Sequence, residues 1–543
     1  MAETDVLLVG AGPVGSVAAI ELVRRGVRCR LVDALPEPPR YAKAVGIQPR
    51  TLEVFESMGL LHEFLDASIQ LRGQLVYVNG APAGRLELAL PPEVPFGFVG
   101  LPQYETERIL ADRLTAMATR IERGTTLIGF SQDADGVDAV LRGPDGEQTV
   151  RARYLVGCDG AHSTVRKALG LSFEGAAFAE QYMLGDVELD WSQPPGYGVR
   201  ALHQTDGVTD DGLVCIPLPG HHRYRVSMQV PADLAVGAGP DGTEHGFRAG
   251  PGPGLADIQA VLDRLAPEPV VASRLRWSSV FRISHRIVDS YSRGRVFVAG
   301  DAAHIHPPTG AQGMNTGIQD VHNLAWKLAL AVAGTGGTDL LASYDAERRP
   351  VGEEVVGRTV RHAREGTGDA EETDPERFLL REAQLLIDYR DSPLVTASPT
   401  GSRMPPAGTR APDARGLTRG AVSAPFRLFT LFTGTEHVAL VSLDDTAEIT
   451  ELERTLDRLR AEAAGRLDAY VITPPGTEPV PTVLPLLSDR DGDFARRYRP
   501  EPGTLFLVRP DGYLGYVGSP TAPALTRHLT ATFAPARTAD RME

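Results

Sequence analysis

The sequence predicts an α/β protein: a doubly wound nucleotide-binding domain, interrupted by antiparallel-sheet inserts and followed by a separate C-terminal unit. Three observations predict it. Val296 to Ala299 form an apolar strand that runs into Gly300-Asp301, a Gly/Pro loop and a helix opening near Gly313. Asp5-Val-Leu-Leu-Val-Gly10-Ala-Gly12-Pro-Val-Gly15 is a strand entering a G-x-G-x-x-G turn. Between and around these segments, short runs alternate apolar and polar residues with the period of half-buried strands.

The N-terminal elements follow in order. The helix after the glycine turn is expected from about Val14 to Arg25, carries Val17, Ala18, Ile20, Leu22 and Val23, and is stopped by Gly26. Arg28 to Asp33 reads as the second strand, and Asp33 stands 23 residues after Gly10, near the offset of a ribose-binding carboxylate. The glycines Gly10, Gly12 and Gly15 let the backbone approach a pyrophosphate, and the helix N-terminus faces that charge. This is a Rossmann-like dinucleotide unit. Residues near 72–100 suit antiparallel strands, Leu101 to Ala118 looks helical, and Gly136 to Leu155 reads as a hairpin turning at Pro144-Asp-Gly146. Several short strands are expected between Gly185 and Val230, a Gly/Pro loop from Gly246 to Gly254, and a helix near Leu255 to Leu265.

The Gly300-Asp301 segment completes the reading. A carboxylate at the end of a strand takes hydrogen bonds from sugar or ribityl hydroxyls, and the N–H groups that open a helix at Gly313, Met314 and Asn315 hold an anionic edge. Paired with the N-terminal turn, this suggests a flavin dinucleotide, FAD rather than FMN. Asp301 is assigned to that ligand. Asp320, further along the helix, is expected to be structural or exposed. The discontinuous FAD-binding domain is placed at 1–71, 101–180 and 271–397, and the substrate-binding sheet at 72–100 and 181–270. A Pro/Gly/Arg linker is placed at 398–420, and the C-terminal unit at 421–543, with strands near Val438 and Thr504.

Composition narrows the function. At 543 residues the chain accommodates two or three domains, and its net charge of −15 argues against nucleic acid and anionic membrane surfaces. Cys29, Cys158 and Cys215 are far apart and odd in number, which supports neither a disulfide framework nor a zinc site; Cys29 and Cys158 fall in expected strands and should be buried. No signal peptide is visible, and the apolar run Leu324 to Ala333 is broken by Lys327 and too short to span a bilayer, so the cytoplasm is the default location. His304 and His306 lack a third ligand, and no metal is expected. No H-E-x-x-H, G-x-S-x-G or phosphate-loop pattern occurs. His203, His222 and Tyr224 read as packing or surface residues of the sheet.

Residues 1 to roughly 370 resemble the single-component FAD-dependent aromatic hydroxylases, the p-hydroxybenzoate hydroxylase class. Gly10-x-Gly12-x-x-Gly15, Cys158-Asp159-Gly160 and Gly300-Asp301 carry the resemblance. It implies that the middle segment, through Asp159, Gly160 and Arg166, helps place FAD and a nicotinamide cofactor, NADPH or NADH. It implies that Gln103 lies near the flavin chain. Lys43 stands where relatives often have arginine, so a planar bidentate contact is replaced by a point charge. The C-terminal unit resembles the thioredoxin-like appendage of phenol hydroxylases and aromatic polyketide hydroxylases; without cysteine it has a structural or interface role.

The resemblance implies a monooxygenase. A nicotinamide reduces FAD, and O2 reaches an aromatic substrate, phenolic or polyketide, through a C4a-hydroperoxyflavin. Pro307, Pro308 and Gly310 would form a stiff wall beside it; no side chain is assigned as an obligate catalyst, because the cofactor carries the hard step. A Baeyer–Villiger reaction on a polycyclic ketone is the alternative, and a non-catalytic flavin-binding protein a more distant one. A halogenase is disfavoured because the tryptophans are isolated at Trp191, Trp277 and Trp326. A monomer or homodimer is expected.

Overall fold

A computed structural model describes residues 2–39, 43–231, 234, 246–247, 252–365, 374–397, 401–443, 449–478 and 480–534. Of the expected Gly246–Gly254 loop, residues 248–251 lie outside them, and Gly246–Phe247 forms a short strand. Among the described residues, the chain forms a mixed α/β structure around three large sheets.

The first sheet has a parallel centre. Ala2–Val9 lies between Gly146–Gly157 and Cys29–Asp33; Val296–Val298 adds beyond Gly146–Gly157, and Ile121–Arg123 beyond Cys29–Asp33. Val6, Leu7, Leu8, Leu31, Val32, Leu155, Val296 and Val298 are almost fully buried, as expected for parallel strands covered on both faces. Pro13–Arg24 is the first helix, opening with proline, and Gly313–Ala333 is a long helix ended by Gly334 in the left-handed conformation (φ 71°). In this sheet Val9 pairs with Gly157, and Gly157 with Val298. The three motif turns therefore leave the same edge side by side, at the carboxyl ends of parallel strands, where open α/β sheets bind ligands.

The second sheet has nine strands and roofs that edge. Its path runs Gly246–Phe247, Ala272–Val288, Phe173–Leu189, Arg223–Gln229, Val208–Pro217, Tyr197–Thr205, Gly73–Val78, Ala81–Glu87, with His304–Ile305 added to Ala272–Val288. Two of these strands are 17 residues long and pair with each other over most of their length. Phe173–Leu189 crosses the expected boundary at 180/181, and Ala272–Val288, expected in the FAD-binding domain, is its partner in the roof. The helix Leu255–Leu265 packs Ile258, Val261 and Leu262 on the roof's outer face.

The third sheet has seven strands, in the order Val422–Phe426, Leu417–Arg419, Leu486–Asp489, Leu467–Thr473, His437–Ser442, Leu505–Val508, Leu514–Gly518. The stretch expected as a linker differs from expectation. Met404, Ala407, Ala411, Ala414 and Leu417 are buried in the core of this unit beside Leu440 and Phe506, and Leu417–Arg419 is one of its strands. Proline and glycine turn the backbone there, while the small apolar residues between them fill the core. No helix among the described residues is long and apolar enough to cross a membrane.

Candidate active site

A cavity of about 1490 Å³ lies between the motif edge of the first sheet and the roof. Pockets for drug-sized ligands span roughly 300–1,000 Å³, so this one has room for an extended dinucleotide and a second molecule.

At one end stands the glycine turn. Gly10 has φ +100°, and a side chain there would strike the Cys158 carbonyl; a side chain at Gly15 would overlap the Gly10 carbonyl. Protein packing fixes both. At Gly12 an added Cβ meets nothing within 4 Å, although Gly12 lines the cavity. Only something in the cavity gives Gly12 a reason to be glycine. Asp33 accepts the Ala11 N–H at 2.6 Å and the Leu35 N–H at 2.8 Å, with Arg123 at 3.6 Å.

Further along, Lys43 Nζ lies 3.6 Å from Asp301 Oδ2, joining two expected site residues from different segments. Gln103 accepts the Ala44 N–H at 3.1 Å and donates to Glu107 at 2.8 Å. Burial pushes the Glu107 carboxyl up to about 7, the Gln103 hydrogen bond opposing. Asp159 also lines the cavity, but its carboxylate is spent on Ser163 Oγ (2.5 Å) and the Thr164 and Val165 N–H groups (2.7 and 3.1 Å). It shapes the turn that carries Gly160. Arg166 does not line the cavity. It donates to the Ala161 and Ala302 carbonyls at 2.7 and 3.2 Å and covers the Phe173 ring, stitching the second motif to the third.

Gly300 (φ +58°) is buried against Val14 and Gly317, and its N–H donates to Asp320 Oδ2 at 3.0 Å. Asp320 is therefore structural and not exposed: it is fully buried, with His304 Nε2 at 2.9 Å and Arg348 Nε at 2.8 Å. Pro307, Pro308, Gly310, Gly313 and Met314 line the cavity, and no side chain caps the helix that starts at Gly313, which leaves its first amides for a ligand. Asn315 is buried instead. Its side chain donates to the Gly46 and Ala311 carbonyls (3.0 and 2.7 Å) and accepts the Gln48 N–H (3.0 Å), clamping two walls of the cavity together.

The sequence reading missed Gln48, Glu107, Arg225, His306 and Glu382, all of which line the cavity. Glu107 was findable, since it lies one helical turn beyond Gln103. His306 adjoins the assigned Pro307 and was weighed only as a metal ligand, while Gln48, Arg225 and Glu382 come from other segments and carry no local signal. His306 is buried, its Nδ1 2.8 Å from the Pro307 carbonyl, and burial pushes its pKa down to about 4, so it is neutral with the proton on Nδ1. Arg225 is held by Asp186 at 2.5 Å beneath Trp277.

The glycine turn, the carboxylate beside it, an open cradle at Gly12 and an uncapped helix start at the far end fit a flavin dinucleotide. Comparisons with known proteins agree. Residues 3–359 match the family model described as an FAD binding domain. Pentachlorophenol 4-monooxygenase of Sphingobium chlorophenolicum is 33% identical over 94% of this chain and 93% of its own. 6-Methylpretetramide 4-monooxygenase of Streptomyces rimosus is 32% identical over 97% of this chain and 93% of its own. Aklavinone-11 hydroxylase, solved as a ternary complex with FAD and aklavinone, superposes with a TM-score of 0.76 at 26% identity, covering 97% and 99% of the two chains. The chain belongs to this FAD-binding-domain family, whose relatives are aromatic and polyketide monooxygenases.

Proposed function

We propose that the protein is an FAD-dependent, NAD(P)H-consuming monooxygenase that hydroxylates an aromatic substrate, phenolic or polyketide-like. One observation carries the reading: a single cavity joins a dinucleotide-type turn to an apolar chamber under the roof, where Phe98, Leu184, Leu202, Leu213 and Phe281 line the wall. The relatives' named substrates, a chlorinated phenol and polycyclic aromatics, suit such a chamber.

Bound FAD supplies hydride acceptance and oxygen activation. The chain supplies position and shelter. Asp33 and the Gly10–Gly12 backbone hold the adenosine and pyrophosphate half. Lys43, Gln103 and Asp301 hold the middle of the chain, with Asp159 and Gly160 shaping the adjoining wall and the nicotinamide approach. The first amides of the long helix, at Gly313 and Met314, would face an anionic edge of the bound group and stabilise negative charge there. Pro307, Pro308 and Gly310 form a rigid wall that excludes water from the reacting side. The C-terminal sheet, in which His437–Ser442 runs parallel to Leu467–Thr473 and antiparallel to Leu505–Val508, is read as thioredoxin-like and structural.

The test is direct. The purified protein should be yellow and release FAD, not FMN. NADPH or NADH oxidation should accelerate with the right aromatic substrate, and one atom of labelled O2 should appear as a hydroxyl. A product without oxygen from O2 would leave a dehydrogenase as the better reading, and insertion beside a ketone a Baeyer–Villiger enzyme.

A further inference from the structure

The far wall of the cavity holds a carboxyl group that the reading above does not use. The helix Pro375–Glu382 ends there, and Glu382 is 9% exposed. Gln312 Nε2 donates to Oε2 at 3.1 Å, whereas Oε1 has no hydrogen bond among the described residues. Arg358 Nε forms an ion pair with that same Oε1 at 3.5 Å, without a hydrogen bond. The carboxyl group abuts the Pro307–Gly310 wall: a Cβ built on Gly310, which has φ +72°, would lie 2.6 Å from Oε2. Around it the surface is apolar. Leu71, Leu88 and Phe98 line the cavity and pack in one cluster with Ala383 and Leu385, the near neighbours of Glu382 in sequence.

A buried carboxyl with half its hydrogen bonds unmade is costly, and a ligand donor placed there removes the cost. The apolar box selects a flat hydrocarbon ring, and the carboxyl selects a hydroxyl on it. Resting on the monooxygenase reading above, we propose that Glu382 binds a ring hydroxyl of the substrate and takes its proton as the ring is oxygenated. The O–H bond breaks, the proton passes to the carboxylate, and the electron pair stays on the substrate oxygen, where it enriches the ring carbon that attacks oxygen. O2 supplies the new oxygen atom, the nicotinamide supplies two electrons, and the second oxygen atom leaves as water with protons from the nicotinamide hydride and solvent. The attacked carbon loses its own proton to solvent as aromaticity returns, and Glu382 gives its proton back to the product. The charged groups facing Glu382 are Arg358 and Glu354 from the helix Ala342–Glu365, and Arg381 on its own helix; burial, opposed by Arg358 and Gln312, raises its pKa, as a proton acceptor for a phenol needs.

The test uses the FAD-loaded protein and two probes, 2-hydroxyanthraquinone and its methyl ether, 2-methoxyanthraquinone. The wild type should bind the hydroxyl probe about tenfold or more tightly than the ether, a comparison that needs no variant. Glu382→Gln and Glu382→Leu should bind the two probes within about threefold of each other, chiefly by losing affinity for the hydroxyl probe. The flavin spectrum and melting temperature of each variant report its folding. A wild type that binds neither probe or shows no hydroxyl preference, or variants that keep the full preference, would overturn the assignment. Preference without NAD(P)H oxidation or oxygen incorporation would leave the Glu382 contact standing and sink the monooxygenase reading instead.

Discussion

The two ends of the long helix Gly313–Ala333 follow opposite rules. At its start, Gly313 and Met314 face the cavity with no side-chain cap. Three turns on, Asn323, Trp326 and Lys327 meet the C-terminal unit in a seam where the polar groups are tightly paired. Lys327 Nζ lies 2.7 Å from Glu347, whose two oxygens take Arg509 at 2.7 and 2.8 Å; Asp511 takes Asn323 at 3.1 Å and Trp326 Nε1 at 3.2 Å. All of these side chains are buried, and burial pushes Lys327 down to about 8. The contrast separates structure from function. Groups that satisfy one another hold the fold, and groups left open at a cavity await a ligand.

Acid should break the seam first, and this is the largest effect expected. His437 and His528 are pushed down to about 3, and His322 to about 4, by burial; all three lie at or near the seam, whereas His306, pushed down to about 4, lines the cavity. A histidine with a depressed folded pKa takes its proton in the unfolded chain first. Its contribution is intact above the ordinary value of 6.5 and is lost as pH falls toward 4, at about 1.4 kcal/mol per pH unit for each proton taken up only on unfolding. The depressed carboxylates Glu347 and Asp320 add their loss only below about pH 4.5, by the same linkage. Urea unfolding at pH 7, 6 and 5 should show a steep decline; a flat profile would refute the assignment.

Next in size is the removal of one partner from a buried ion pair. Glu347→Gln leaves Lys327 without its ion partner and Arg509 with Asp511 alone, and Asp320→Ala leaves Arg348 without its carboxylate, each at about 3–5 kcal/mol. Flavin content should fall only as far as folding does. A cavity substitution should behave the other way round. Asp301→Ala should lower FAD affinity by on the order of 1.5–3 kcal/mol while leaving the apoprotein's melting temperature nearly unchanged. Gly12→Ala should do likewise, since nothing in the protein opposes its Cβ, while Gly15→Ala should fail to fold. Titration of apoprotein with FAD, beside thermal melts, separates the two classes; equal destabilisation by Asp301→Ala and Asp320→Ala would erase the distinction.

What was legible in the sequence follows the same division. The glycine turn, Asp33, Asp159-Gly160 and Gly300-Asp301 could be read because each needs particular residues at fixed local spacing. The helix Leu255–Leu265 was legible from periodicity alone. The seam was not, because Lys327, Glu347, Arg509 and Asp511 are distant in sequence and look like ordinary surface charge until the fold brings them together. Asp320 was read as structural or exposed for that reason, and the fold makes it structural. The stretch 398–420 misled because proline and glycine dominate its composition, although Met404, Ala411 and Leu417 are what the core uses. Arg166 was placed at the ligand, but its side chain joins two motifs; Asn315 was placed there by its backbone N–H, and its side chain, which the sequence did not assign, joins two walls.

The smallest expected effect concerns the cysteines, and it bounds the chemistry of both regions. Cys215 is buried within the roof, Cys29 is half-buried in the strand Cys29–Asp33, and Cys158, expected in a strand, is half-buried just past the end of Gly146–Gly157. Burial pushes the Cys29 thiol up to about 12 and the other two further still, so none is a thiolate near neutrality. No two of them are bonded, and none lies in the C-terminal unit. Replacing Cys29 and Cys215 with alanine and Cys158 with serine should therefore lower stability by about 1–3 kcal/mol through lost packing at the sheet sites. Turnover per bound flavin should stay within about twofold, because neither the cavity nor the seam uses a thiol. Cys158 is the sharpest of the three tests, since it lines the cavity between Gly10 and Asp159. A variant that folds, retains flavin and yet loses turnover would place a thiol in the reaction, and would show that a group pushed out of its reactive range in the empty chain is drawn back into it by what the cavity holds.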